Sequence, residues 1–158
     1  MIDAYMKIDG IEGESRDQKH AGWIEVLDYD FCIAQKVSRR ASTAGGAGAE
    51  RADFSEFIIT KMLDKSSPLL AQACAEGRHI NSIVIELWRA GKVKYMVYQL
   101  TNCLISAVST YSDGEFPEEN IALNVGQYKI VYTQQSRSTG LALGQVVCGW
   151  DRTRNCRV

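Results

Sequence analysis

The chain has no CxxC pair, no HExxH, no GxSxG and no GK[ST]. Each absence removes a chemistry. A serine hydrolase of the strand-turn-helix kind needs the GxSxG elbow to raise its nucleophile. The five cysteines, Cys32, Cys74, Cys103, Cys148 and Cys156, are odd in number and not spaced for zinc. Neither a disulfide framework nor a zinc site is expected. Cys32, Cys74, Cys103 and Cys148 lie in apolar segments and are expected to pack as small core residues, with Cys156 an exposed thiol near the terminus. The two histidines stand in unrelated contexts, without metal-ligand spacing. His79 follows a helix stop, where it reads as structural. His20 falls in a polar stretch and is expected to be solvated. The acids Asp9, Glu12, Glu14 and Asp17 lack calcium-loop spacing. Glu118 and Glu119 are expected in a turn, without a catalytic role. No apolar run approaches the ~18 residues of a membrane span. The first ten residues, MIDAYMKIDG, carry an early acid and no apolar centre, unlike a secretory signal. A net charge of -1 offers no general attraction to nucleic acid or to an anionic membrane. No enzyme, cofactor or metal is expected.

What is present is strand pattern, with one helix. Residues 61–80 read KMLDKSSPLLAQACAEGRHI. Ser67 is expected to cap with its hydroxyl, with Pro68 at the first helical position and Gly77 as the left-handed stop. Leu69, Leu70, Ala73 and Cys74 form one apolar stripe. So short a helix does not persist alone in water and needs a surface to lie on. Strands are expected at residues 1–8, 23–37, 54–63, 80–90, 93–111, 121–134 and 141–150. Gly91 and Lys92 form a hairpin turn. Asn102 marks a bulge or bend, because a strand of that length would be unusual. In residues 23–37 the odd positions Trp23, Leu27, Tyr29, Phe31 and Ile33 are expected inside. The even positions, Asp28 and Asp30 among them, are expected to be wet.

Residues 38–52, SRRASTAGGAGAERA, have no apolar periodicity and read as a long flexible loop with a basic foot at Arg39 and Arg40. Loops of that length are usually functional or disordered. Gly45, Gly46 and Gly48 are not followed by the signals of a nucleotide loop. Several strands, IVIELW, YMVYQL and NCLISAV, are apolar on both faces. The expected fold is therefore mainly β: one domain over residues 1–158, an antiparallel β-barrel with one short α-helix packed on it. Its exterior should meet the helix or other subunits.

Lys7-Ile8-Asp9-Gly10-Ile11-Glu12-Gly13-Glu14-Ser15, then Lys19-His20 and Ile24-Glu25-Val26-Leu27, resembles the opening of the hemolysin-coregulated protein (Hcp) family, the tube proteins of bacterial type VI secretion. The likeness continues through Thr60-Lys61, Asp64-Lys65-Ser66-Ser67-Pro68-Leu69-Leu70, Ala73-Cys74 and Gly77-Arg78-His79-Ile80. It resumes at Glu118-Glu119-Asn120-Ile121-Ala122-Leu123-Asn124-Val125 and at Gly149-Trp150-Asp151, with Asn155 near the end. The resemblance implies a hexameric ring that stacks into a secreted hollow tube and shelters effector proteins in its lumen. Implied partners are further copies of the chain, a contractile sheath, a tip spike and effectors. The subunit would be cytoplasmic before firing and leave without a cleaved signal peptide. On that reading Val26, Asp28, Asp30 and Cys32 are expected to face the lumen. The loop carrying Arg39, Arg40, Gly45, Gly46 and Gly48 is expected to reach the next ring. The alternative is a monomeric secreted barrel that binds a small ligand in its interior, which the bulk of Trp23, Tyr29 and Phe31 argues against.

Overall fold

The computed structural model describes residues 2–36, 51–90 and 93–158. The strands are β1 (Asp3–Ile8), β2 (Ile24–Val26), β3 (Asp28–Asp30), β4 (Ile33–Ala34), β5 (Asp53–Phe54), β6 (Phe57–Met62), β7 (His79–Arg89), β8 (Val93–Tyr111), β9 (Glu118–Gln135), β10 (Ala142–Asp151) and β11 (Cys156–Arg157). One helix, α1 (Ser67–Glu76), interrupts them. The main sheet is antiparallel and runs β11-β10-β9-β8-β7-β1-β2, while β6 pairs with β9 on one side and β3 on the other. β4 and β5 make a separate two-stranded sheet. The ladders do not join β2 to β3 side by side. The chain itself connects them through Leu27, whose N–H donates to the Thr60 carbonyl at 2.9 Å.

β8 and β9 are 19 and 18 residues long, about twice the usual upper length for a strand. They reach that length by bending. Asn102 takes a left-handed conformation, φ 55°. Gly126 lies across from it, where an added Cβ would come within 3.0 Å of Asn102. The buried face changes parity there. Tyr98 and Leu100 are buried before Asn102, Cys103 and Ile105 after it. Ile121, Leu123 and Val125 are buried before Gly126, Tyr128 after it. The same switch occurs at Leu27: Ile24 and Val26 are buried, whereas Tyr29 and Phe31 pack against the core from the next segment. A strand that turns a corner must present opposite faces on its two arms. This corrects the expectation of one alternating strand over residues 23–37, and it accounts for part of the two-sided apolarity read in the sequence.

The interior is closed by aromatic rings. Phe57 stacks on Phe31 at 5.0 Å between centroids and on Tyr29 at 5.7 Å, and meets Tyr98 edge-on at 5.2 Å. The Tyr29 and Tyr98 hydroxyls lie 3.1 Å apart. Burial pushes the Tyr98 hydroxyl well above its ordinary pKa, and pushes the Cys103 thiol up to about 12. Of the four cysteines expected inside, only Cys103 is fully buried. Cys74 is half-buried, and Cys32 and Cys148 are exposed.

The helix lies on β8 and buries Leu70 and Ala73, while Leu69, expected in the same stripe, is exposed. Gly77 ends it at φ 63°, with the Gly77 and Arg78 N–H groups donating to the Cys74 and Ala73 carbonyls. The start differs from expectation. Ser66 is the N-cap, so Pro68 falls one position further in, and the Ser67 hydroxyl is turned away from the helix.

Residues 13–15 run beside residues 22–23, joined by Gly13 N–H to the Gly22 carbonyl and Ser15 N–H to the Trp23 carbonyl, both 2.9 Å. A Cβ at Gly13 would fall 2.5 Å from the Trp23 carbonyl oxygen and 2.6 Å from the Ile24 Cα. Both are backbone atoms and cannot rotate aside. Gly13→Ala is expected to cost about 1–3 kcal/mol, read as a lower urea midpoint at unchanged m-value.

Candidate functional site

The expected lumen residues separate into two groups. Asp28, Asp30 and Cys32 are exposed. Val26 is 4% exposed and joins the core, opposite Ala4 on β1. The face switch at Leu27 lies between them, so Val26 is removed from the wet wall. Arg39, Arg40, Gly45, Gly46 and Gly48 lie outside the described residues.

Strand register extends the wall beyond the residues the sequence suggested. Asp28 pairs with Thr60, Thr60 with Asn120, and Asn120 with Ser109. Directly opposed residues share a face, so these four form one polar row across β3, β6, β9 and β8. The Thr60 hydroxyl donates to the Asn120 side-chain carbonyl at 2.8 Å. A second row runs Asp30, Ile58, Ala122, Ala107. Ser106, at the β8 bulge, donates to Glu56 at 2.7 Å. The wall is thus wet, small in side chain and mildly acidic. Thr60, Asn120 and Ser109 were not visible as a group in the sequence, because only register brings them together.

The fold also holds two buried polar nodes. Lys61 is 0% exposed and opposes Glu119 in the β6–β9 ladder. Its ammonium donates to the Met62 carbonyl at 2.9 Å, to Asp64 at 3.0 Å and to Glu119. The Ser67 hydroxyl, 3.3 Å from Lys61, donates to Glu119 at 2.7 Å. Asp64 in turn accepts from the Ser66 N–H at 2.8 Å. The node ties the start of α1 to two strands. It corrects the placement of Glu119 in a turn: the residue lies in β9 and is buried.

The second node is His20, 2% exposed rather than solvated. Nδ1 lies 2.6 Å from Asp17 and Nε2 2.7 Å from Glu86. The ring stacks on Tyr5 at 4.2 Å and meets the edges of Trp23 and Trp88. The Trp88 indole N–H donates to Glu86 at 2.9 Å. The His20 hydrogen bond is the main influence holding the Asp17 carboxyl below its ordinary pKa. At Glu86 burial works upward, but hydrogen bonds from His20 and Trp88 and the charge of Lys94 outweigh it, and the net direction is also downward. The node fastens residues 9–23 over the outer face of β7. Among the described residues, no group of three or more His, Cys, Asp or Glu is arranged to hold a metal ion, and no helix is long and apolar enough to cross a membrane.

Two groups stand out among the exposed apolar side chains. Leu141, Leu143, Val146 and Val147, at and beyond the β9–β10 turn, are all at least half exposed. Leu27, Met62, Leu63 and Phe116 line a surface pocket of about 310 Å³.

Sequence comparison places this geometry. A model of the family described as "Type VI secretion system effector, Hcp" matches residues 5–132. The chain belongs to the Hcp family. It is 33% identical to the protein hcp1 of Pseudomonas aeruginosa, over 98% of this chain and 97% of that one. Among solved structures, one described as a type six secretion system protein superposes with a TM-score of 0.92 at 26% identity, covering 100% of both chains. Hcp1 from Salmonella typhimurium superposes at 0.83 with 29% identity, covering 99% of each. This Hcp is therefore a mainly β component of type VI secretion with one short helix.

Proposed function

We propose that this Hcp is the structural tube subunit of a type VI secretion system. Six copies close into a ring of barrel-like subunits, rings stack head to tail, and the lumen carries effector proteins. The observation that carries this reading is the apolar surface left exposed by the folded chain. Leu141 is 68% exposed, Leu143 62% and Val146 71%. A chain that worked alone would not keep so many large apolar side chains in water. The aromatic interior speaks against the alternative of a small-ligand barrel, since Phe57 and its partners occupy the space a ligand would need.

Within this reading Asp28, Asp30 and Cys32 line the lumen with Thr60, Asn120 and Ser109. The loop over residues 38–52 bridges to the next ring. The sheath and tip spike are the remaining partners, and the chain leaves the cytoplasm with the tube. Light scattering tests the assembly: a ring-sized species near six times 17.6 kDa is expected. A strictly monomeric particle at high concentration would refute it. Asp30→Arg tests the lumen. Rings of unchanged mass that retain cargo less well are expected; loss of the ring would show that Asp30 sits in a subunit contact instead.

A further inference from the structure

The polar rows belong to a whole face of the sheet, and the charge on that face is of one sign. Alternation with the buried Phe57, Ile59, Ile121 and Leu123 sends Thr60, Glu118 and Asn120 outward, and register carries Asp28 and Asp30 with them. Glu56 joins the face just before β6, where its carboxylate accepts the Ser106 hydroxyl at 2.7 Å. Four carboxylates thus share it, those of Asp28, Asp30, Glu56 and Glu118, and all four residues are exposed. Within β3, β6, residues 107–111 of β8 and residues 118–122 of β9, the one lysine or arginine is Lys61. Lys61 is fully buried on the opposite side.

Composition does not explain the bias, since the chain carries 19 acids against 18 lysines and arginines. Elsewhere the carboxylates find cations. Among the described residues, the ion pairs engage Glu12, Asp17, Asp53, Asp64, Glu86 and Glu119, and none of the four on this face. Asp28 and Asp30 stand two positions apart on one strand, so their side chains repeat at about 7 Å. An extended partner with a cation at every second position has the same repeat. The Asp30 row continues through Ile58, Ala122 and Ala107. Side chains so small leave room for the aliphatic stem of a lysine or arginine to lie on the sheet while its charged head reaches a carboxylate.

We propose that this face receives a lysine- and arginine-rich surface of another protein and turns acidic surfaces away. The stems supply contact area and the unpaired carboxylates supply the selection. The inference rests on the tube-subunit reading, in which the face is the lumen wall, and it names the class of effector carried there as cationic. Every copy in a ring adds the same four carboxylates, and walls of one sign around a channel raise the local concentration of the opposite charge.

The experiment uses the full-length protein and two labelled peptides of equal length, one alternating lysine with alanine and the other glutamate with alanine. Binding is read by fluorescence anisotropy. The wild-type protein is expected to bind the lysine peptide, several-fold more weakly as salt rises from ~50 to ~200 mM, and to ignore the glutamate peptide. A triple variant, Asp28→Asn, Asp30→Asn and Glu118→Gln, is expected to weaken binding about tenfold, three exposed charge pairs being lost. A second triple, Asp9→Asn, Glu12→Gln and Glu76→Gln, makes the same change in net charge away from the face and is expected to leave binding as it was. All six residues are exposed, so both triples are expected to keep the wild-type circular dichroism and Tm. Asp30→Asn and Glu118→Gln as single variants serve should the first triple fail to fold. Equal losses in the two triples, or a lysine peptide that does not bind, would overturn the face as a docking surface. Light scattering on the same samples separates the two readings. Rings that ignore the lysine peptide would overturn this inference and leave the tube intact. A monomer that binds it through this face would overturn the tube and leave the docking surface.

Discussion

Lys61→Met is expected to lower stability by about 3–5 kcal/mol, because it leaves a carboxylate in the interior without its counter-charge. Glu119 is 1% exposed, and only the Ser67 hydroxyl would still donate to it. The helix start loosens as well, since Asp64 and Ser67 both lie against the same ammonium. For a chain of this size the loss corresponds to a fall in Tm of about 10 °C. Removing both charges should do far less harm than removing one. A Lys61→Met, Glu119→Leu double variant is expected to regain most of the lost stability, as buried ion pairs replaced by apolar groups of similar volume often do. Thermal melts of the two singles and the double complete the cycle. Additive losses would show that the pair does not act as a unit.

His20→Leu should also cost about 3–5 kcal/mol, and its cost should depend on pH. Asp17 and Glu86 face the two ring nitrogens at 2.6 and 2.7 Å. Other charged groups surround the node: Lys94 lies 3.4 Å from Glu86, and Lys19 sits over the Trp88 ring at 4.5 Å. Both carboxyls have their pKa lowered in the folded chain. The stabilisation they contribute is therefore complete above the ordinary carboxylate range and is lost as pH falls through their lowered values. The gap between wild type and variant should be widest near neutrality and narrow below about pH 4. Urea midpoints across that range give the check. A gap that stayed constant would mean that His20 acts by shape alone.

Much of the chain could be read in advance where local chemistry decides. Gly77 stops the helix as its backbone freedom predicts, and the order of strands follows the turn signals. Local pattern failed at the corners. Nothing in the residues around Leu27 announces that Val26 and Tyr29 will both face inward, because the switch belongs to a change of ladder partner. The polar nodes were hidden for a related reason. His20 sits among Asp17, Gln18 and Lys19, a run that suggests water, and only the return of β7 brings Glu86 and Trp88 over it. Lys61 and Glu119 are 58 positions apart and meet through register alone. The polar row was half legible: Asp28 and Asp30 were expected to be wet and are exposed, but their neighbours in the row required pairing that no alternation pattern contains.

Asn102 and Gly126 give the sheet a crease, and that crease has a mechanical meaning. A sandwich of two separate sheets offers a plane along which one half can slip over the other. Here β8 and β9 pass from one wall into the other without interruption. Slippage between the walls would have to drag two polypeptide strands through the fold. A subunit pushed from behind would pass the thrust along its own main chain.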